Sequence, residues 1–401
     1  MRYDRFHLVL MTTHACNLRC DYCYTGRKSC RVMPPEIGLA AIRRAVHSLR
    51  PGGTLELGFF GGEPLLEAEA IARWIDFAQE ITTAAGIGLR LGMTTNGTIV
   101  SDAAWMLMMR PDLELCVSHD GLPEVHDRHR RRGDQPTAPQ VTDTLVRLLA
   151  AGREVRAVMV VRPDSAAMLP AGIAWLWDRG VRRFDPSLDV WASWDRMGLE
   201  SLETGLIGAA EFWRQHLPEI GVSWFDEKAA RLLGLPIEAS PRCGFGDGEI
   251  AVAPSGNLYP CERLIGEDIP GHPLCLPGHV LEGHDFCRSS MPGRSAAECA
   301  GCTARQHCNT TCRCNNYVRT GDIRRPDALL CFLDRVCAGE TVRVLNDVAR
   351  FWGRGDLNVG WDKLAVRQAF QPDRQVRLAH HVPMVGLTYG ERRPAMIETL
   401  R

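Results

Sequence analysis

The chain has 401 residues, of which 45% are hydrophobic and 24% are charged, a composition typical of a soluble globular protein of two or three domains. Its 47 Lys and Arg residues balance 48 Asp and Glu residues, which excludes a broad basic surface for nucleic acid or anionic membranes. The sequence lacks an apolar run of roughly 20 residues and a signal-peptide cleavage site, so we expect a cytoplasmic protein.

The first 190 residues alternate predicted strands with predicted helices. This alternation predicts a parallel α/β sheet, either open or curved into a barrel, with ligands at the carboxyl ends of the strands. The predicted strands are 6–11, 55–60, 89–94, 113–118, 155–161 and, more weakly, 181–188, and the helices follow near 35–49, 65–78, 101–110 and 138–151.

Three further regions follow the α/β region. Residues 191–242 contain four tryptophans and are interpreted as a bridging or substrate-facing segment, although the tryptophans could simply be core residues. Residues 243–340 form a cysteine-rich module, and residues 341–401 start as a helix and continue as a tail rich in Arg and Pro.

Sixteen cysteines in a reducing compartment indicate metal ligands rather than disulfides. Cys16, Cys20 and Cys23 lie in one short loop after the first predicted strand. Three thiolates suit a cubane iron–sulfur cluster and leave one iron open for a chelating substrate. A zinc site with His14 as fourth ligand is the alternative, but this spacing is unusual for zinc.

The triplet, Cys-x3-Cys-x2-Cys, resembles the signature of the radical SAM superfamily. The resemblance implies a partial (β/α)6 TIM-like barrel whose [4Fe–4S] cluster binds S-adenosylmethionine (SAM) and cleaves it reductively to a 5′-deoxyadenosyl radical, which abstracts hydrogen from a substrate. It also implies SAM contacts in motifs that follow later strands. These contacts are Tyr22, Gly61, Gly62, Glu63, Asn96 and Ser118.

A polar segment follows the fourth predicted strand. Ser118-His119-Asp120-Gly121 and the following His-Asp-Arg residues resemble a segment of one branch of this superfamily. The locally basic run 126–132 is interpreted as a solvated loop, with an anion or substrate contact as the alternative.

Seven cysteines near the C-terminus match the spacing of the SPASM domain, which follows many radical SAM barrels that modify peptides. The resemblance implies two auxiliary [4Fe–4S] clusters; a zinc ribbon would need only two CxxC pairs. One cluster would take Cys299, Cys302, Cys308 and Cys331, and the other Cys243, Cys261 and Cys312.

The second of these sets lacks a fourth cysteine. Some relatives supply it between the first two ligands, where residues 244–260 contain none. Cys275, Cys287 or Cys314 could fill the position, or an iron could stay open. Cys30, Cys116 and Cys337 are expected to be ordinary buried thiols.

Two acids are candidate catalytic bases. Glu262 follows Cys261, where sulfatase-maturing relatives carry an acidic base, and Asp120 follows the fourth strand. Either could take the proton while an auxiliary cluster accepts an electron from the substrate radical. A hydrogen-bonded structural acid is the alternative for both.

We expect a peptide or protein substrate and favour maturation of a ribosomally made peptide by cross-linking or a related oxidation. Sulfatase maturases usually carry Gln before the GGEP motif and Asp after the second module cysteine, where this chain has Phe60 and Glu262. Sulfatase maturation, small-molecule dehydrogenation and non-catalytic electron transfer are the alternatives.

The early first strand leaves no room for a leader-binding domain, so a separate leader-binding protein is one expected partner. The resemblance also implies an electron donor such as flavodoxin or ferredoxin.

Overall fold

The computed structural model describes residues 2–233, 244–269, 271–287, 299, 301–302, 308 and 312–351, with side chains through residue 347. Cys243 and residues 352–401 of the predicted C-terminal tail lie outside the described residues. The chain divides into two compact units: Met1–His119, His126–Ala157 and Gly244–Pro292 form the first, and Asp120–Val125, Val158–Cys243 and Gly293–Arg401 form the second.

The first unit is a mostly parallel sheet with helices between successive strands. β1 to β4 are consecutive parallel neighbours, and β8 pairs parallel with the other side of β1. β9 and β10 extend this edge antiparallel, which gives the order β10-β9-β8-β1-β2-β3-β4. The elements are β1 (Tyr3–Met11), α1 (Pro35–Ser48), β2 (Leu49–Phe60), α2 (Ala68–Ala84), β3 (Gly88–Thr95), α3 (Asp102–Met108), β4 (Leu113–Ser118), the end of α4 (Pro123–His129), α5 (Ala138–Ala150), β8 (Glu249–Val252), β9 (Asn257–Tyr259) and β10 (Leu276–His279).

The sequence pattern explains these elements. Pro35 occupies the first turn of α1, where its missing N–H is no loss, and the helix buries the face that carries Ile37, Ala41 and Ala45. β1 is buried along its second half, as expected for a central strand covered on both faces.

In its described residues, the second unit contains three strands and a helical layer. Its strand order is β5-β6-β7, with β6 and β7 parallel. α10 packs against α7 and α8, and the buried side chains of Lys228 and Asp334 form an ion pair between α8 and α10. The unit boundary falls inside β5 (Arg156–Val161), which belongs to the second unit from residue 158 onward. The other elements are α6 (Leu169–Trp177), β6 (Arg183–Leu188), α7 (Arg196–His216), β7 (Gly221–Val222), α8 (Ser223–Leu232), α9 (Arg313–Thr320) and α10 (Ala328–Phe351).

The predicted mixed α/β class with a parallel sheet is confirmed. Trp194 and Trp213 are fully buried, so these two tryptophans of the 191–242 segment are core residues. Among the described helices, none combines the length and the apolar character needed to cross a membrane.

Candidate functional site

The cysteine triplet lies in the loop that follows β1. The two ends of the loop lie side by side next to the end of β1. The amide of Met33 donates to Thr12 O at 2.8 Å, and that of His14 donates to Arg31 O at 2.9 Å. Cys16, Cys20 and Cys23 are all partly buried within it. The structure therefore places the triplet at the carboxyl end of a central strand, as predicted.

The glycines of the GGEP motif pack against the start of this loop. The amide of Gly62 donates to Thr13 O at 2.7 Å, and that of Glu63 donates to Ala15 O at 2.8 Å. A Cβ on Gly62 would lie 2.1 Å from Ala15 O, which is closer than any real contact. Gly62 is therefore required for the close approach of two backbone segments, directly beside Cys16.

The Glu63 carboxylate joins the ends of β2 and β3. It is buried and accepts hydrogen bonds from the amide of Leu65 at 3.0 Å, Thr95 Oγ1 at 2.6 Å and the amide of Asn96 at 2.7 Å. Burial raises the pKa of Glu63, and these three hydrogen bonds oppose the rise. Thr95 is a member of this network that sequence reasoning missed.

Asn96 joins the end of β3 to the triplet loop. Its Nδ2 donates to Asn17 Oδ1 at 3.0 Å and lies 3.8 Å from Cys16 Sγ. Its Oδ1 accepts from Thr98 N at 2.9 Å and from Thr98 Oγ1. The side chain is therefore held in one orientation beside a triplet sulfur, and Asn17 and Thr98 complete a network that no spacing in the sequence revealed.

Residues 129–131, at the end of α4 and directly after it, contact the triplet loop. The amides of Arg19 and Asp21 donate to the carbonyls of Arg131 and His129 at 2.9 and 3.1 Å. The Arg130 guanidinium lies 5.2 Å from the ring centroid of Tyr22, and both side chains are buried. The interpretation of run 126–132 as a solvated loop is wrong for its first part, because residues 126–129 belong to α4 and His126, His129 and Arg130 are buried. The cation–π contact with Tyr22 permits the burial of the Arg130 charge.

The triplet sulfurs have nitrogen donors nearby. The amide of Leu18 donates to Cys16 Sγ at 3.4 Å, and Lys28 Nζ donates to Cys23 Sγ at 2.9 Å. Burial raises the pKa of the Cys16 thiol. Burial also acts on Cys23, but the Lys28 ammonium and Thr25 outweigh it and lower the pKa of that thiol. Hydrogen bonds to thiolate sulfurs tune bound iron–sulfur clusters, so three cysteines with such donors nearby fit this kind of cluster.

The zinc alternative does not fit this geometry. Tetrahedral zinc would bring its ligand atoms to within about 4 Å of one another. Among the described residues, the one set of three Cys, His, Asp or Glu ligand atoms within 4.8 Å of one another is Glu249, Cys261 and Glu262, and it excludes His14 and the triplet. His14 Nε2 is instead 3.2 Å from Gly266 O.

The second unit gathers a further group of thiols. Burial raises the pKa of Cys331 to about 12, and the nearby Cys308 and Cys299 contribute to the rise. The amide of Cys302 donates to Cys299 O at 3.3 Å. The structure therefore brings together Cys299, Cys308 and Cys331, three members of one ligand set that the resemblance implies.

Cys261 lies in the first unit beside two carboxylates. Its Sγ is 3.4 Å from Glu262 Oε2, and Glu249 completes the compact group. The ring of Tyr24, which stacks on Phe60 at 5.8 Å, is close enough for the Glu262 carboxylate to add to the rise in its pKa that burial causes. Glu262 therefore lies close to residues that adjoin the triplet and the GGEP motif.

The other predicted site residues are less distinctive. Asp120 is buried, accepts a hydrogen bond from Val160 N at 2.9 Å and lines a small cavity with Met159 and Ser165, in keeping with a structural acid. Ser118 is buried at the end of β4.

Several cysteines remain outside the groups above. Cys312 Sγ and Cys314 Sγ are 3.2 Å apart, while Cys275 and Cys287 direct their sulfurs at backbone carbonyls. Cys337 is buried and Cys116 is partly buried. The expectation of burial is wrong for Cys30, which is exposed because it lies in the polar part of the triplet loop.

Sequence comparisons identify the domain that contains the triplet loop. Residues 10–167 match the model of the radical SAM superfamily. A cysteine-type anaerobic sulfatase-maturating enzyme of Clostridium novyi is 23% identical over 64% of this chain and 73% of its own length. An uncharacterised protein of Methanocaldococcus jannaschii is 29% identical over 35% of this chain, and that match spans 46% of the relative.

Two solved structures share the fold. The structure of anSMEcpe with bound AdoMet and a Kp18Cys peptide has a TM-score of 0.66 at 17% identity, and the match covers 86% of this chain and 99% of that one. Streptococcus suis SuiB bound to its precursor peptide SuiA has a TM-score of 0.57 at 13% identity, with 81% and 76% covered. The chain therefore carries a radical SAM domain and is homologous to the anaerobic sulfatase maturases.

Proposed function

We propose that this enzyme oxidises a peptide and thereby matures a ribosomally synthesised product. The observation that carries the proposal is the network that joins the triplet loop to the ends of β2 and β3 through Glu63 and Asn96. Peptide complexes of anSMEcpe and SuiB, which share the fold, support the substrate class.

The N-terminal cluster would be held by Cys16, Cys20 and Cys23. When bound, it supplies the electron that cleaves SAM and so yields the radical that abstracts a substrate hydrogen. Gly62 and Glu63 fix the loop against the strand ends, and Asn96 presents its amide beside Cys16 Sγ. Arg130 holds the Tyr22 ring against the loop and excludes water from this side.

The auxiliary cysteine sets and Glu262 would serve the second oxidation step, in which the substrate radical is oxidised to product. A substrate radical must lose one electron and one proton to form a new bond. We assign the electron to clusters held by the two cysteine sets, and the proton to Glu262, whose carboxylate lies 3.4 Å from Cys261 Sγ. Asp120 is the less favoured base, because the amide of Val160 already donates to its carboxylate.

The test separates cleavage of SAM from product formation. Anaerobically reconstituted protein is incubated with SAM, a strong reductant and a short peptide encoded beside its gene. We expect 5′-deoxyadenosine and a peptide that has lost two hydrogens. Cys16→Ala abolishes both products, whereas Cys308→Ala retains part of the nucleoside and loses the modified peptide. Equal loss of nucleoside in two correctly folded variants contradicts this division of roles.

Sulfatase maturation is the second candidate, because the Clostridium novyi relative is a cysteine-type sulfatase-maturating enzyme. The same assay with a cysteine-containing sulfatase peptide distinguishes the two, since formylglycine formation exchanges sulfur for oxygen. Phe60, stacked on Tyr24, and Glu262 stand where sulfatase maturases usually carry Gln and Asp, which favours the first candidate.

A further inference from the structure

Residues 266–268 contact the triplet loop on both sides of its cysteines, within the first compact unit. His14 Nε2 donates to Gly266 O at 3.2 Å, before the first cysteine of the triplet. The amide of Arg27 donates to Glu267 Oε1 at 3.3 Å, after the last cysteine. These residues, named the 266–268 segment below, therefore hold the loop at both ends of its cysteine motif.

Arg31 makes a third contact, at the point where the loop returns to β1. Its carbonyl accepts from the amide of His14 at 2.9 Å and from Thr13 Oγ1 at 3.2 Å, which closes the loop. Its Nη1 donates to Asp268 O at 2.8 Å and to Asp268 Oδ2 at 3.1 Å. One residue therefore closes the loop through its backbone and joins it to the 266–268 segment through its side chain.

Asp268 is fixed from its own side of this contact. Its side chain is buried, and its Oδ1 accepts from Asn257 Nδ2 at 2.9 Å and from Tyr259 Oη at 3.0 Å. Burial raises the pKa of Asp268, but its hydrogen bonds and the Arg31 charge outweigh burial and lower it. The charged carboxylate therefore links β9 through one oxygen and the triplet loop through the other.

The 266–268 segment is continuous with Glu262, the base of the proposed function. The amide of Ile265 donates to Glu262 O at 3.3 Å, and that of Asp268 donates to Ile265 O at 3.1 Å. Ile265, which joins these two turns, is fully buried. A displacement of the triplet loop relative to the 266–268 segment therefore also changes its position relative to Glu262.

We propose that Asp268 is a positioning residue, which through Arg31 holds the triplet loop in a fixed position relative to Glu262. The inference rests on the proposed function, in which hydrogen abstraction takes place beside the triplet loop and Glu262 takes the proton. Both steps act on one substrate residue, and a displacement of about 1 Å can slow a reaction about 100-fold. Loss of the contact should therefore impair product formation more than cleavage of SAM.

Four variants separate this contact from general effects of charge and folding. Arg31→Ala removes the guanidinium, and Asp268→Asn keeps the shape of the buried side chain but removes its charge. Arg31→Lys can restore the contact, because one nitrogen of Arg31 makes both hydrogen bonds to Asp268. Arg27→Ala is the matched control, since this exposed arginine of the same loop contacts Glu267 through its amide, which alanine retains.

Hydrogen exchange followed by mass spectrometry measures the loop in the anaerobically reconstituted protein, without SAM or substrate. We expect peptides that cover residues 12–33 to exchange about fivefold faster or more in Arg31→Ala and Asp268→Asn than in the native chain. Peptides from β3 and β4 should keep their native exchange rates in both variants. The loop of Arg27→Ala should also exchange at the native rate.

The second measurement is the amount of modified peptide per 5′-deoxyadenosine in the assay of the proposed function. We expect this yield to fall about tenfold or more in Arg31→Ala and Asp268→Asn. It should recover to within about threefold of the native value in Arg31→Lys and stay native in Arg27→Ala. A role in stability alone would lower nucleoside and modified peptide together and leave the yield unchanged.

Two results overturn the inference. One is loop exchange in Arg31→Ala equal to that in Arg27→Ala, and the other is faster exchange with an unchanged yield of modified peptide per nucleoside. If Asp268→Asn does not fold, Arg31→Ala and Arg31→Lys decide the question. A native chain that cleaves SAM but modifies no peptide contradicts the proposed function, and the exchange rates alone then decide whether Asp268 holds the loop.

Discussion

Glu63 accepts three hydrogen bonds in a buried position, so its removal leaves the donors of Leu65, Thr95 and Asn96 without their acceptor. We expect Glu63→Ala to lower the free energy of unfolding by about 2–4 kcal/mol, because unsatisfied buried donors bear the full desolvation cost. The exposed Glu69→Ala on α2 should change it by less than about 0.5 kcal/mol. Urea unfolding followed by circular dichroism measures both, and similar midpoints for the two variants contradict the prediction.

Gly62 and Gly92 form a matched pair for a second prediction. A Cβ on Gly62 meets Ala15 O at 2.1 Å, whereas a Cβ on Gly92 meets no atom within 4 Å. Gly62→Ala must therefore displace the backbone beside Cys16, at a cost of about 1–3 kcal/mol, and reduce iron binding by the N-terminal triplet.

Gly92→Ala should bind iron as the native chain does. Iron per chain after anaerobic reconstitution, together with formation of 5′-deoxyadenosine, is the measurement. Full iron loading of Gly62→Ala would show that the loop tolerates the displacement.

The site residues that belong to recognisable motifs were predicted from the sequence, but the residues that hydrogen-bond to them were not. Cys16, Glu63 and Asn96 belong to recognisable motifs, and the structure places them in one network. Asn17 and Thr98 carry no such signal, because a polar side chain that hydrogen-bonds across 81 residues leaves no local pattern. The role of Arg130 was missed because charge alone predicts exposure, whereas its cation–π contact permits burial.

At the scale of elements, α7 and α8 meet through Asp226, whose carboxylate accepts from Trp213 Nε1 at 3.0 Å. Burial raises the pKa of Asp226 to about 6 from its usual 3.8. Folding therefore favours the neutral acid, and this contribution to stability is present below the unfolded pKa and lost as the pH rises through about 6.

Asp226→Asn keeps the shape and the acceptor but removes the charge. We expect this variant to gain stability over the native chain as the pH rises, reaching at most about 3 kcal/mol near pH 7 and above. Urea midpoints at about pH 5.5 and pH 8 test this, with the exposed Asp178→Asn as control. A gain that is the same at both pH values would contradict the assigned cause.

Strands were predictable where hydrophobic runs are continuous, and their ends were less so. The predicted 113–118 strand matches β4 residue for residue. β2 begins at Leu49 rather than Leu55, because Leu49 already pairs with Tyr3 and the Arg-Pro-Gly-Gly segment forms an irregularity before Thr54 pairs with Arg5. β8 was not predicted, since its four residues are too short to show a period and lie inside a cysteine-rich region.

At the scale of the whole molecule, the proposed clusters predict an iron count. Three [4Fe–4S] clusters correspond to about twelve irons per chain. Alanine at Cys16, Cys20 and Cys23 should remove about four irons, and alanine at Cys299 and Cys331 about four others. The exposed Cys30→Ala should keep the full count. Iron and protein assays give the number of irons per chain. Loss of all iron from either alanine variant would contradict separate cluster sites.

The pairing of β1 with β8 has a consequence for synthesis. Tyr3 and Asp247, which hydrogen-bond beside this pair of strands, are 244 residues apart. At the usual rate of translation, roughly 10–50 s separate their appearance from the ribosome. During this interval the backbone N–H and C=O groups on one edge of β1 lack their partner strand and can pair with a wrong strand. β1 therefore gains its second neighbouring strand only after more than half of the chain has been synthesised.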